Sequence, residues 1–341
     1  LIFPLNSIKL HKSLSYFLIL TQIKGKLQEK LQKKRLKDSL IAILSLFWYN
    51  NKTLYRMEVE NMSTAITTDS GCDLFPDLYL EKKVDVIPLY ITIGDHTSRD
   101  FFEIKPQDVF RDFAVTKKLP KTAAPAPADF YEVFKKHVDA GQDVVHLSMN
   151  SKMSASYQNA VIAAQEFENV YVVNTFTISS AEGLMVLDAC DLRDQGKSGQ
   201  EIAALMEQEK DKIRTYVLLD TLEFAYRGGR ASKLQTMGAN LLKLRPCLLL
   251  SPRVELSIHK KFRGNYPQVC REYVRHVLEM PNICRDRVMV CTTGMDQTLL
   301  ESLVQMIKDS GVFKKVFLTY AGCTTTVHTG PNTFVVFYKE N

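Results

Sequence analysis

Along most of the chain, apolar positions switch between a period of two and a period near 3.6. Each switch marks an element. Short β-branched runs at 63–68, 143–147, 170–173 and 214–219 read as strands. A further run at 84–93 is broken by Pro88, which predicts an edge or irregular strand. Between these runs the spacing is helical. Val109, Phe110 and Phe113 predict a helix over 106–116. Phe130, Val133, Phe134 and Val138 predict another over 127–140, closed by Gly141. Helices over 154–167, 180–193 and 198–210 follow, the last two separated by Gly196. Beyond Thr221 the pattern grows richer in strands. Residues 244–250 and 254–260 read as strands turned at Ser251 and Pro252, followed by a helix over 266–279. A strand at 287–292, a helix at 297–309 and strands at 312–318 and 333–338 complete the chain.

This order predicts an α/β protein of two domains with no internal repeat. Residues 62–220 form an N-terminal domain with an open, mostly parallel sheet and flanking helices. Residues 221–341 form a smaller α+β C-terminal domain, the division falling near residue 220. Residues 1–61 are set apart. They run basic between Lys24 and Lys37, then apolar from Leu40 to Tyr49 with the only tryptophan, Trp48. The apolar run is about half the ~20 residues a membrane span needs, and no small-residue cleavage site follows it. The expectation is non-native upstream sequence before a start at Met57 or Met62. A surface-lying anchor and a signal sequence are the alternatives.

Composition narrows the function classes. Of 341 residues, 45% are apolar and 24% charged, which excludes a disordered chain, a collagen-like fibre and a polytopic membrane protein. The net charge of +6 is misleading until divided. Residues 1–61 hold 11 Lys and Arg against 4 Asp and Glu, leaving 33 against 34 in the remainder. The remainder therefore offers no electrostatic case for nucleic-acid binding. Seven cysteines, an odd number without a C-x-x-C pair, fit free or buried thiols in a reducing cytoplasm rather than a disulfide framework or a zinc site.

The candidate chemistry lies in hydroxyl-rich loops. Ser148 to Gln158 follows a strand and opens a helix, whose first N–H groups and dipole favour an anion. Ser151, Ser154 and Ser156 could add donors there, although plain N-capping explains the same serines. Thr122 is the one hydroxyl in the proline-ruled loop from Lys121 to Pro127, which otherwise reads as a turn. Arg227 to Ser232 pairs two arginines around two glycines and could approach a phosphate, or form a solvated turn. Lys260 to Gly264 is a second basic cluster. His328 to Pro331 reads as a loop between the last two strands, and Asp69 and Ser70 end the first strand, where such sheets place ligands. No nucleophile elbow, H-E-x-x-H, phosphate loop or dinucleotide fingerprint occurs, and no carboxylate pair stands out as an acid/base couple.

Taken in order, these segments resemble the DegV family of bacterial fatty-acid-binding proteins. The resemblance runs from about Met62 to Asn341. It rests on T-D-S at Thr68–Ser70, V-I-P-L at Val86–Leu89, T-x-x-P at Thr122–Pro125 and S-K-M-S-x-S-Y-Q at Ser151–Gln158. G-G-R at Gly228–Arg230, K-x-R-G at Lys261–Gly264 and H-T-G-P at His328–Pro331 complete it. Each motif is weak alone; seven in sequence are specific.

The resemblance implies two α/β domains enclosing one long-chain fatty acid, with Thr122 and Ser154 on the carboxylate and His328 beside it. It implies no catalytic residue, metal or cofactor. It also implies a cytoplasmic carrier that presents its acyl chain to an ATP-binding fatty acid kinase subunit, with Arg230 and Arg263 facing that partner or a phosphate. Transient membrane contact is compatible with the role. The alternatives are a phosphoryl-transfer enzyme or hydrolase using the same Ser and Arg loops, and a lipid-responsive regulatory protein. The chain departs from the family at Ala123–Ala124 in place of Ser-Gln, at Met153-Ser154-Ala155-Ser156 in place of Leu-Ser-Gly-Thr, and at Asn332 in place of a glycine.

Overall fold

The computed structural model describes residues 63–230, 244–250 and 257–341. The expectations placed on 1–61 and on the turn at Ser251 and Pro252 lie outside the described residues. In chain order the elements begin with β1 (Thr64–Asp69), α1 (Pro76–Lys82), β2 (Val84–Ile87), β3 (Tyr90–Ile93) and β4 (His96–Arg99). Next come α2 (Pro106–Thr116), β5 (Lys121–Ala123), α3 (Pro127–Asp139), β6 (Asp143–Ser148), α4 (Ser156–Ala164) and β7 (Val170–Asn174). Then follow α5 (Ser180–Asp194), α6 (Gly199–Glu209), β8 (Ile213–Leu218), α7 (Glu223–Arg227), β9 (Leu244–Leu250) and β10 (Ser257–Arg263). The chain closes with α8 (Tyr266–Leu278), β11 (Arg287–Thr293), α9 (Gln297–Asp309), β12 (Lys315–Tyr320), α10 (Cys323–Thr329) and β13 (Thr333–Lys339).

Three sheets result. The first, in the order β2-β1-β6-β7, is wholly parallel, as its βαβ connections require. The second is mixed, in the order β10-β9-β8-β13-β11-β12. A small antiparallel sheet, β4-β3-β5, sits apart from both. Pro88 divides the expected run at 84–93 into two strands in different sheets. β8 pairs with β13 and β9, so the change of sheet falls before Ile213 rather than near residue 220.

One helix explains why residues 62–341 form a single unit. α5 packs on β1 and β6 of the first sheet and on β8, β11 and β13 of the second. It is buried on every side, including Leu184, Met185, Val186 and Leu187, as a helix enclosed between layers must be. Its residues share one core with Ile66 and Leu147 on one side and Met289 and Phe337 on the other. All seven cysteines are free, and only Cys284 is not fully buried. Among the described residues, no helix is long and apolar enough to cross a membrane.

Polar side chains are also built into this core. Asp69, at the end of β1, is fully buried and binds no cation. It accepts hydrogen bonds from Gly71 N–H (3.0 Å), Met149 N–H (3.1 Å), Ser148 Oγ (3.2 Å) and Ser156 Oγ (2.9 Å). These tie the end of β1 to the end of β6 and the start of α4. Burial pushes its carboxyl above the usual range, against the pull of those four donors. The expectation that Asp69 and Ser70 meet a ligand is therefore corrected. Asp69 is spent on two backbone N–H groups and two serine hydroxyls, Ser70 Oγ accepts from Leu89 N–H at 3.0 Å, and neither residue lines the cavity described below. Asp69→Ala orphans several buried donors and should lower unfolding free energy by about 3 kcal/mol in urea melts, because each unpaired buried group costs ~1–3 kcal/mol. A loss under about 0.5 kcal/mol, the scale of a neutral surface change, would refute this role.

Candidate functional site

A cavity of ≈ 230 Å³ opens between β5, the strands β8 and β9 of the mixed sheet, and the loops that follow β1 and β6. Its wall is mostly apolar, with Leu89, Met149, Ile178, Val217, Leu219 and Leu248 drawn from both large sheets and their loops. A smaller cavity of ≈ 20 Å³ shares Ile178, Val217, Thr325 and Thr329 with it and continues toward Val335 and Phe337. The polar groups of the main cavity are few: Thr122, Ser154, His328 and Arg230 line it, with threonines of α10.

Each of these is placed by local structure. Thr122 lies on β5, opposite Ile91 of β3, so the loop expected there is partly a strand. Ser154 precedes α4, and its Oγ accepts the N–H of Ser156 at 3.1 Å, which leaves its own proton free to donate. Asn159 of α4 donates to Pro125 O at 2.7 Å and so joins the Ser154 segment to the Thr122 segment. Ser151 and Ser156 are not brought to the cavity. Ser151 Oγ accepts from Asn174 (2.6 Å) and Ser156 Oγ donates to Asp69.

His328 is not in a loop. It sits in the last turn of α10, and its Nε2 is 3.0 Å from Thr122 Oγ1, a contact spanning 206 positions of the chain. Burial, aided by the nearby Arg230 charge, pushes its pKa down to about 4, so the imidazole is neutral near pH 7. Gly228 of the G-G-R segment explains how the ring is held. A Cβ there would stand 2.4 Å from His328 Nδ1, so only glycine lets the backbone lie against the imidazole. Gly330, at φ +77°, closes α10 in the same way against Phe224. Asn332, the departure from the family's glycine, takes φ +57°, a left-handed value asparagine tolerates.

Arg230 lines the cavity, with Nη1 donating to Gly228 O at 3.0 Å. Arg263 ends β10 and is not among the cavity residues. The two arginines expected to act alike are thus placed differently. Ala231 and Ser232 lie outside the described residues.

Sequence reasoning missed Asp73 and Asp100, both buried beside the cavity. Asp100 offered no sequence signal, since it lies between surface-like polar residues and Phe101. Asp73 stands four residues beyond Asp69, within the same turn-forming stretch.

The architecture is that of an α/β protein with a parallel sheet flanked by helices, a second, mixed sheet and a hydroxyl-rimmed apolar cavity. The chain belongs to the DegV family: residues 63–341 match the family described as "Uncharacterised protein, DegV family". A solved DegV family protein from Thermus thermophilus, described by its fatty acid binding, superposes with a TM-score of 0.75. It shares 30% identity over 82% of this chain and 100% of its own. A fatty acid-binding protein of Thermotoga maritima is 29% identical over 80% of this chain and 96% of its own length. A DegV domain-containing protein of Caldanaerobacter subterraneus is 28% identical over 81% and 98%.

Gly228→Ala should displace the His328 ring and break its contact with Thr122. In a crystal structure of the variant the two atoms should stand beyond the ~3.5 Å reach of a hydrogen bond. An unmoved ring would contradict the close-approach explanation.

Proposed function

We propose that the chain binds one long-chain fatty acid, with its carboxylate at Thr122, Ser154 and His328 and its tail in the apolar cavity. It then presents the carboxylate to a separate ATP-binding kinase subunit for acyl-phosphate formation. The observation that carries this reading is the meeting of Thr122 and His328, at 3.0 Å, on the rim of a cavity that also includes Ser154.

The physical chemistry fits such a ligand. A tail gains about 0.8 kcal/mol per buried CH₂. An anionic head group needs donors, and the hydroxyls of Ser154 and of Thr122, the latter paired with the neutral His328 ring, provide them without a buried counter-charge, whose desolvation costs several kcal/mol. A head group held by neutral donors remains reachable by a phosphoryl donor. Arg230, at the same rim, supplies positive potential for the carboxylate or for the phosphate delivered to it. The fatty acid-binding relatives from Thermus and Thermotoga support the ligand class. The kinase step, the cytoplasmic setting and the absence of a resident cofactor belong to the proposal.

Native mass spectrometry of the purified protein should reveal a co-purified fatty acid. A folded preparation with no lipid and no uptake of added palmitate or oleate would defeat the reading. Thr122→Ala with Ser154→Ala should weaken oleate binding by about 10²-fold or more, since a hydrogen bond to a charged group contributes ~1.5–3 kcal/mol. Unchanged affinity in a titration would remove the head-group assignment. Turnover of ATP or acyl phosphate by this chain alone would overturn the carrier role.

A further inference from the structure

α10 carries His328, and although Cys323 and Val327 pack it against Ile91 and Val109, its own sequence gives it little helical preference. It is seven residues long, C-T-T-T-V-H-T, and its β-branched residues disfavour a helix. Its start is held instead by two buried carboxylates. Asp73 Oδ1 accepts the N–H of Gly322 at 2.8 Å, and Asp73 Oδ2 accepts the Thr325 hydroxyl at 2.7 Å. Asp100 accepts the N–H groups of Cys323 (2.8 Å) and Thr324 (2.9 Å), one on each oxygen. Asp73 Oδ2 also accepts the hydroxyl of Ser179 at 2.6 Å, just before α5. A single side chain thus joins the loop after β1, the entry to α5 and the first turn of α10.

We propose that Asp73 and Asp100 are positioning residues of the head-group site: they fix the first turn of α10 so that His328, at its other end, stands within reach of Thr122. The affinity readout below rests on the fatty acid reading; the position of His328 does not.

Asp73 also gives the device a pH response. Burial pushes its carboxyl up to about 7; Ser179, Thr325 and Gly322 pull it down, and Asp100 pushes it up. The other titratable groups acting with it are Cys72, Tyr79, Glu182, Cys291 and Cys323, each pushed up chiefly by burial. The four thiol and phenol groups, raised from ordinary values that already lie above 7, stay neutral while Asp73 titrates. Protonation of Asp73 requires one hydroxyl to turn round and replaces charge-assisted hydrogen bonds with weaker neutral ones. The clamp loosens as pH falls through about 7. Fold stability runs the other way. The folded pKa is raised above the unfolded 3.8, so this group's stabilisation is full below that value and is lost as pH rises through about 7.

The test compares wild type, Asp73→Asn, Asp100→Asn, Thr325→Val and Thr325→Ser, using oleate as the probe and the His328 ring NMR signals of the lipid-free protein. Wild type should bind oleate more weakly at about pH 6 than at about pH 8, while its thermal stability does not fall in parallel. Asp73→Asn should bind about tenfold more weakly at the higher pH, the loss expected of one hydrogen bond, with the pH response flattened. Asp100→Asn should bind more weakly with the response retained. Thr325→Val, which keeps the shape of the cavity wall, should weaken binding, and Thr325→Ser should restore it. The His328 signals should shift in each weakened variant. Oleate binding at wild-type strength in Asp73→Asn and Thr325→Val, with unmoved His328 signals, would overturn the proposal while leaving the fatty acid reading intact. Should Asp73→Asn fail to fold, the Thr325 pair decides alone. No oleate binding by wild type would sink the reading beneath it, and the His328 signals would then judge the positioning role.

Discussion

The rim of the cavity depends on an arrangement that is unusual on energetic grounds: carboxylates buried without cations. Among the described residues, Asp69 and Asp73 meet N–H and O–H donors, and Asp100 meets N–H groups and the Cys323 thiol. Desolvating such a group is costly unless its lone pairs are filled. Here they are filled by the first turns of helices and by the loops between them. The loops have no regular pairing of their own and take their geometry from these oxygens. Asp69 aligns the segment before α4, and Asp73 and Asp100 align α10. The hydroxyl rim is thereby built from residues whose own secondary-structure preferences are weak.

The same fact decides what could be read from the chain alone. Periodicity predicts helices over 106–116, 127–140 and 297–309, which match the observed elements to within one residue, and the strands of the parallel sheet, because the pattern of burial there is local. The loop expected at 328–331 overlaps the end of α10, which local sequence does not announce: three consecutive threonines oppose a helix, and the carboxylates that bind its first turn lie 249 and 223 positions away. β5 was read as a turn because its pairing with β3 is the only reason it is extended. The division near residue 220 missed the change of sheet because β8 resembles any other buried strand; only its partners reveal which sheet it joins. Thr122, Ser154 and His328 were legible as candidates through family resemblance rather than periodicity, which could not bring them together.

Two glycines behind the rim show how little room the arrangement leaves. Gly228 lies flat against His328, and Gly330 receives the Phe224 ring. Phe224 in turn packs on Phe113 with ring centroids 4.6 Å apart, so α2, α7 and α10 are pressed together behind the imidazole. The ring is neutral, being buried and close to Arg230, and so carries a single dissociable N–H. A charged imidazole in this position would compete with Arg230 for the same anion instead of sharing the work of orienting it.

The contact between Thr122 and His328 joins segments 206 positions apart. Neither half of the rim is complete without the other, and closing so long a loop is entropically unfavourable until other contacts offset it. A cargo held there recognises only the finished molecule. Occupancy therefore adds to the stability of the native state in proportion to free ligand, and emptying the cavity removes that increment. If the chain holds the ligand proposed above, it is hardiest when occupied and most exposed to proteolysis when emptied, so its lifetime in a cell would track the supply of that ligand.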